Sequence, residues 1–174
     1  MSIFLPEEIA ERMREFGRRN ILFKALLREV VKCSDTDHTK KLRKEFSKFA
    51  LDEADGVPIE LVKMDLLRRY KLTDKEISRI FSGTITRDGK IPLVEFVTMT
   101  IDDVLIPEVS IKQAFDNLSN HREYILAASL KNLFGNGISV EDVFHMLPQS
   151  CLPSGAVNYA KVRNYLRIHN LSRY

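Results

Sequence analysis

Residues 80–99 read IFSGTITRDGKIPLVEFVTM. An apolar run closes on Ile80 and Phe81, a polar stretch follows with the pair Asp88–Gly89 at its crown, and Glu95–Phe96 open the next apolar run. The segment therefore reads as helix, loop, helix, with a twelve-residue loop from Thr84 to Glu95. Loops of this length that hold a divalent cation put side-chain oxygens at positions 1, 3 and 5, a backbone carbonyl at 7 and a bidentate Glu at 12, with Gly at 6. Here Asp88, Gly89, Lys90, Ile91 and Glu95 stand at positions 5, 6, 7, 8 and 12, but positions 1 and 3 carry the neutral hydroxyls of Thr84 and Thr86. Arg87 and Lys90 further offset the two carboxylates, so the expected calcium affinity lies below the weakest class, about 10⁻⁴ to 10⁻³ M.

Working outward, the same unit recurs. Residues 39–100 and 110–168 can be laid over each other, each half holding two helix-loop-helix units, four in all. The aliphatic landmarks of the four loops read as Ile59, Ile91, Ile125 and Val157, which should form short antiparallel bridges between adjacent loops. Capping boxes are read at Thr73–Glu76 and Ser110–Gln113, and a further N-cap at Ser139. Residues 6–32 read as one long helix with room for a bend at Gly17, followed by a polar break at CSDTDHT. The helix from VEF reads on through Val97, Ile101, Val104 and Leu105 until Pro107, the expected joint between lobes.

With IKQAF (111–115), YILAASLKNLF (124–134), VNYAKV (157–162) and IPLVEFVTM (91–99) in this order, the chain resembles the calmodulin superfamily over residues 39–168. That group includes troponin C, centrins and myosin light chains. The resemblance implies an all-α fold of two lobes of paired EF-hands with short β-bridges. The lobes would be 39–105 and 110–174, preceded by an amphipathic helical extension over 1–38.

The other three loops depart from the calcium pattern. The fourth, Ser150 to Lys161, keeps Gly155 but has Leu152 at position 3 and Lys161 at 12. The third is read as eleven residues, Ser119 to Ser129, with Arg122 inside, and the first as fourteen, Ala50 to Lys63, with Asp52, Glu53 and Asp55. No cofactor is expected, apart from weak calcium in the second loop.

Calmodulin-like lobes grip an amphipathic helix in apolar grooves. The positions matching such groove linings are Phe49, Met64, Leu67, Ile80 and Met99 in the first lobe, and Leu118, Leu130, Phe134, Met146, Leu147 and Val162 in the second. Degenerate loops resemble those of myosin light chains, so the expectation is a subunit holding an IQ-type helix of a motor heavy chain or scaffold largely without calcium. The alternatives are a calcium-responsive regulatory subunit, calcineurin B-like, or a centrin-like cytoskeletal scaffold. The basic helix ERMREFGRRNILFKALLREVVK (11–32) itself has the character of a target helix, expected to pack on the chain's own lobes or on the same partner.

Composition bounds the remaining classes. Among 174 residues, 27 Lys and Arg against 24 Asp and Glu leave +3, and residues 1–48 alone carry +4. The arginines interleave with glutamates along a helical pattern, which argues for a solvated face and against a nucleic-acid surface. No apolar run of about 18 residues suggests a transmembrane helix and no signal peptide is read, so the expected location is cytoplasmic or cytoskeletal. Cys33 and Cys151 fit no metal spacing and read as free thiols. His38, His121, His145 and His169 are scattered and no nucleophile or phosphate-loop motif occurs, so catalysis is not expected.

Overall fold

The computed structural model describes residues 2–50, 55–134, 139–146 and 156–171. The fold is all-α, with ten α-helices and two short antiparallel sheets among the described residues. The helices are α1 (Glu7–Gly17), α2 (Ile21–Lys32), α3 (Asp37–Phe49), α4 (Ile59–Arg68), α5 (Asp74–Phe81), α6 (Leu93–Thr100), α7 (Glu108–Ser119), α8 (Ala127–Lys131), α9 (Val140–Met146) and α10 (Tyr159–Leu171). The strands are β1 (Val57–Pro58), β2 (Lys90–Ile91), β3 (Tyr124–Leu126) and β4 (Ala156–Asn158).

Local chemistry explains where the elements begin and end. The single helix expected over 6–32 is two, α1 and α2. Arg18 and Arg19 turn their N–H groups back on Glu15 and Phe16, and the Asn20 side chain then caps α2 by accepting the N–H of Phe23 at 2.8 Å. The N-cap of α3 is Thr36, paired reciprocally with Thr39, and Thr73 and Glu76 form the expected box on α5. Ser139 and Asp142 bond each other's backbone N–H in the same way ahead of α9. The box read at Ser110 is absent: α7 starts at Glu108 behind Pro107, which leaves Ser110 buried inside the first turn. Likewise α6 stops at Thr100, and Val104 and Leu105 lie in a 3-10 turn at Asp103–Leu105.

The strands pair β1 with β2 and β3 with β4, in register Val57↔Ile91 and Ile125↔Val157. Ile91, Ile125 and Val157 therefore sit in the pairs, whereas Ile59 does not. It is the first residue of α4, and Val57 takes the strand position. Pro58, the last residue of β1, and Pro92, just past β2, are the N-caps of α4 and α6, where neither has an N–H to lose.

The chain divides into two compact units. The first comprises Met1–Lys24 and Asp35–Asp102, the second Ala25–Ser34 and Asp103–Tyr174. The segment expected as an extension over 1–38 is thus divided between them. In the first unit α1 packs on α5 and α6, and α3 packs on α6. Its core holds Met13, Phe16, Phe46, Leu66, Ile80, Phe96 and Met99, with Phe46 and Phe96 edge to face at 5.6 Å. Each such buried side chain contributes about 1.5–3 kcal/mol relative to exposure. The α1–α5 contact is so close that a Cβ on Gly17 would lie 2.8 Å from Ile80 Cγ1.

In the second unit α10 packs on α7, and Phe115 meets Tyr159 edge to face at 5.8 Å. Arg167 donates to the carbonyls of Asp103 and Ile106, at 3.0 and 2.6 Å. The apolar face of the second half of α2, with Leu26, Leu27, Val30 and Val31, is buried.

Candidate functional site

The loop from Thr84 to Glu95 is shaped by its own backbone. Asp88 (φ 52°) and Gly89 (φ 72°) both lie in the left-handed region, so residues 87–90 make a two-residue hairpin turn. Arg87 N–H donates to Lys90 O at 3.0 Å and Lys90 N–H to Arg87 O at 2.9 Å. The carbonyl at position 7, which would turn to a cation, is thereby an acceptor within the turn. Beyond it, Gly89 O takes the N–H of Ile59 at 3.0 Å, and Lys90 Nζ lies 3.0 Å from Asp55.

Two of the other ligand positions, 1 and 12, are similarly engaged. Thr84 Oγ1 donates to Ile80 O at 3.3 Å, and the buried Glu95 carboxylate accepts the N–H of Ile85 at 3.3 Å. Thr86, Asp88 and Gly89 are exposed at the crown. This donor set, two hydroxyls and two carboxylates with a lysine ammonium alongside, fits a hard dication poorly. Among the described residues no three His, Cys, Asp or Glu side chains cluster as a metal-binding group.

The strand register also corrects the first loop. Counting back from Val57 as from Ile91 gives twelve residues, Ala50 to Leu61, so the closing position holds the apolar Leu61 and not Lys63. Asp52 and Glu53 lie outside the described residues. At the third loop, Asn120 (φ 55°) and His121 (φ 62°) end α7 in left-handed geometry, and His121 N–H bonds Asp116 O at 2.8 Å. In the fourth, Asn158 caps α10 by accepting the N–H of Lys161 at 3.0 Å, while Ser150, Leu152 and Gly155 are outside the described residues.

The groove positions separate into two sets. Ile80 and Met99 are fully buried, and Gly17 of α1 lies directly on Ile80. Phe49 is half-buried beside Phe96. By contrast Met64 and Leu67 are 38% and 45% exposed on α4. With Ile77 and Phe81 of α5 they line a cleft of about 630 Å³ rimmed by Glu60, Lys63 and Asp74. Lys63 Nζ stands 5.5 Å from the centre of the Phe81 ring. In the second unit Leu130 and Val162 are buried, Leu118 and Phe134 are half-buried, Met146 lies in α9 and Leu147 is outside the described residues.

The cover over Ile80 is held by polar bonds at several points. Leu5 N–H donates to Asp65, Tyr70 OH donates to Leu5 O, Arg12 donates to Thr100 O at 3.3 Å, and Arg14 pairs with Glu76 at 2.7 Å. The N–H of Thr73 and the Arg14 guanidinium together hold the Glu76 carboxyl below its ordinary range. Lys24 is almost wholly buried, its Nζ bonded to the carbonyls of Arg79, Ile80 and Ser82 at the C-terminus of α5, at 2.5, 3.4 and 2.9 Å. Burial lowers its pKa to about 8.

Sequence reading does not single out Ile77, Phe81 or Lys24. The first two continue the apolar spacing of α5 and can be found that way. A lysine inside the run ILFKALL carries no signal of the carbonyls it serves.

No protein-family model matches the chain, and no curated protein sequence matches it.

Proposed function

We propose that the chain is a non-catalytic, calmodulin-like binding subunit that holds a basic amphipathic helix, of the IQ type, at the α4–α5 cleft without requiring calcium. The observation that carries this reading is the second loop. Its crown is closed by the Arg87–Lys90 backbone pair and its sheet by Val57↔Ile91, so the helix–loop–helix unit is held by hydrogen bonds where a calcium-binding loop uses a cation. In this reading the paired units are EF-hand pairs whose loops have kept their scaffold.

The choice of surface follows from burial and charge. The inner apolar surface of the first unit, at Ile80 and Met99, lies under α1, an amphipathic helix of the chain itself. Met64, Leu67 and Phe81 remain accessible to a partner; on the rim Glu60 pairs with Lys63 at 3.8 Å, which leaves Asp74 as the acid that suits a basic helix. A motor heavy chain or a cytoskeletal scaffold carries such helices.

Titration of the full chain with a basic IQ-type peptide, in chelator, tests the proposal. Met64→Glu and Leu67→Glu lie on an exposed face and should leave the fold intact while weakening the complex at least about tenfold. Unchanged binding in both variants would remove the cleft from the account. A peptide held only with added calcium would favour the regulatory-subunit alternative.

A further inference from the structure

A second cleft, independent of the helix-binding reading, lies where α1 ends, α2 begins and α5 terminates. It measures about 640 Å³ and is lined by Gly17, Arg18, Arg19, Asn20, Lys24, Arg79 and Ser82, with Ile21 at its edge. Four of these are cations and none is an acid. A chain whose net charge is only +3 thus gathers four basic residues around one concavity. Concave low-dielectric walls focus such a field, which an exposed row of the same charges would not do.

The four cations have different tasks. Lys24 is committed to the α5 carbonyls and cancels the negative end of that helix. Arg19 lies over the Phe23 ring at 4.4 Å, and Arg18 bonds Glu15 at 2.9 Å on the exposed side. The Arg79 side chain is exposed and makes no hydrogen bond or ion pair among the described residues. Arg79 stands in the last turn of α5, where its charge also complements the negative end of the helix.

From this we infer that the cleft binds a phosphate-bearing anion, with Arg79 and Arg18 as the planar forks that engage its oxygens and Lys24 and Arg19 as the fixed positive wall. Guanidinium groups match phosphate bidentately. The anion is either a soluble phosphate ester or the headgroup of a phosphoinositide, which present the same chemistry.

Calorimetric titration of the full chain with inorganic pyrophosphate at low salt tests the site, alongside co-sedimentation with phosphatidylcholine vesicles containing phosphatidylinositol bisphosphate. Arg79→Gln should weaken binding at least about tenfold and Arg18→Gln/Arg79→Gln should abolish it. Lys75→Gln, which removes the same charge from the exposed first turn of α5 outside the cleft, should leave it unchanged. Binding of pyrophosphate alone assigns a soluble source, and vesicle retention with this mutational pattern assigns a lipid source. Absence of binding in both arms, or an equal loss in Lys75→Gln, would overturn the inference.

Discussion

The carboxylate of Asp65 accepts the backbone N–H of Leu5 at 2.8 Å across sixty residues of sequence. Asp65 is buried on α4 and also receives Arg69 at 3.2 Å, while the Tyr70 hydroxyl holds the carbonyl of Leu5. The backbone that leads into α1 is therefore fixed at both polar atoms of Leu5, by α4 and by a residue just past it. Of the helical extension expected to pack on the chain's own lobes or on a partner, α1 packs within the first unit.

Replacing Asp65 by Ala should cost about 2–3 kcal/mol, since it leaves a buried N–H without an acceptor and a guanidinium without its partner. Asp65→Asn, which keeps an oxygen for Leu5 N–H, should cost less. Urea unfolding followed by circular dichroism gives both values. Equal and negligible losses would mean that α1 is held by its apolar face alone.

His38 links the start of α3 to the end of the first unit, because its Nε2 accepts the N–H of Asp102 at 2.9 Å. Only the neutral ring can accept there. Burial first, then Arg12, lowers its pKa below the ordinary 6.5, with Lys41 adding to this and Asp102 and Glu8 opposing it. The unfolded chain then takes up the proton at higher pH than the folded one. Stability is full above about pH 6.5 and falls as the pH drops through the folded-state value. Thermal melts from about pH 7.5 down to about pH 5, a range that brackets the ordinary histidine value, should show this loss. His38→Gln, which can still accept from Asp102 N–H, should flatten the slope; an unchanged slope would assign the pH dependence to other groups.

The second loop should regain a metal when its first and third positions regain carboxylates. Thr84→Asp/Thr86→Asp would bring four acids to a loop that already has Gly89 at its turn and Glu95 at its close. Calorimetry should then detect calcium binding at about 10⁻⁴ M or tighter, where the unaltered chain gives none. The unaltered loop binding at that strength would show that its hydroxyls serve as ligands after all.

Much of this architecture was legible in the chain. The crown at Asp88–Gly89, the box at Thr73–Glu76 and the strand residues Ile91, Ile125 and Val157 all follow from local chemistry, which residue types state directly. The misplaced landmark, Ile59, had a readable correction: VPIEL (57–61) repeats the aliphatic–Pro–aliphatic order of IPLVE (91–95), which aligns Val57 with Ile91. The break between α1 and α2 was harder, because no proline marks it and the apolar spacing runs across Arg18–Asn20.

What composition could not reveal is which apolar side chains the chain covers for itself. Ile80 and Leu67 look alike as groove positions, yet one lies under Gly17 and the other is exposed. That difference depends on long-range packing of α1, which hydrophobic spacing does not encode. The four cations around Ser82 were equally invisible, being drawn together from residues 18, 19, 24 and 79.

The most direct test of the account is the dissociation constant of the full chain for a basic IQ-type peptide, measured by calorimetry in excess calcium and again in chelator. A subunit that holds its helix without calcium gives the same value in both within about twofold, well under the roughly 1.4 kcal/mol that a tenfold change represents. A complex at least about tenfold tighter with calcium would contradict it, and would make the second loop a working switch.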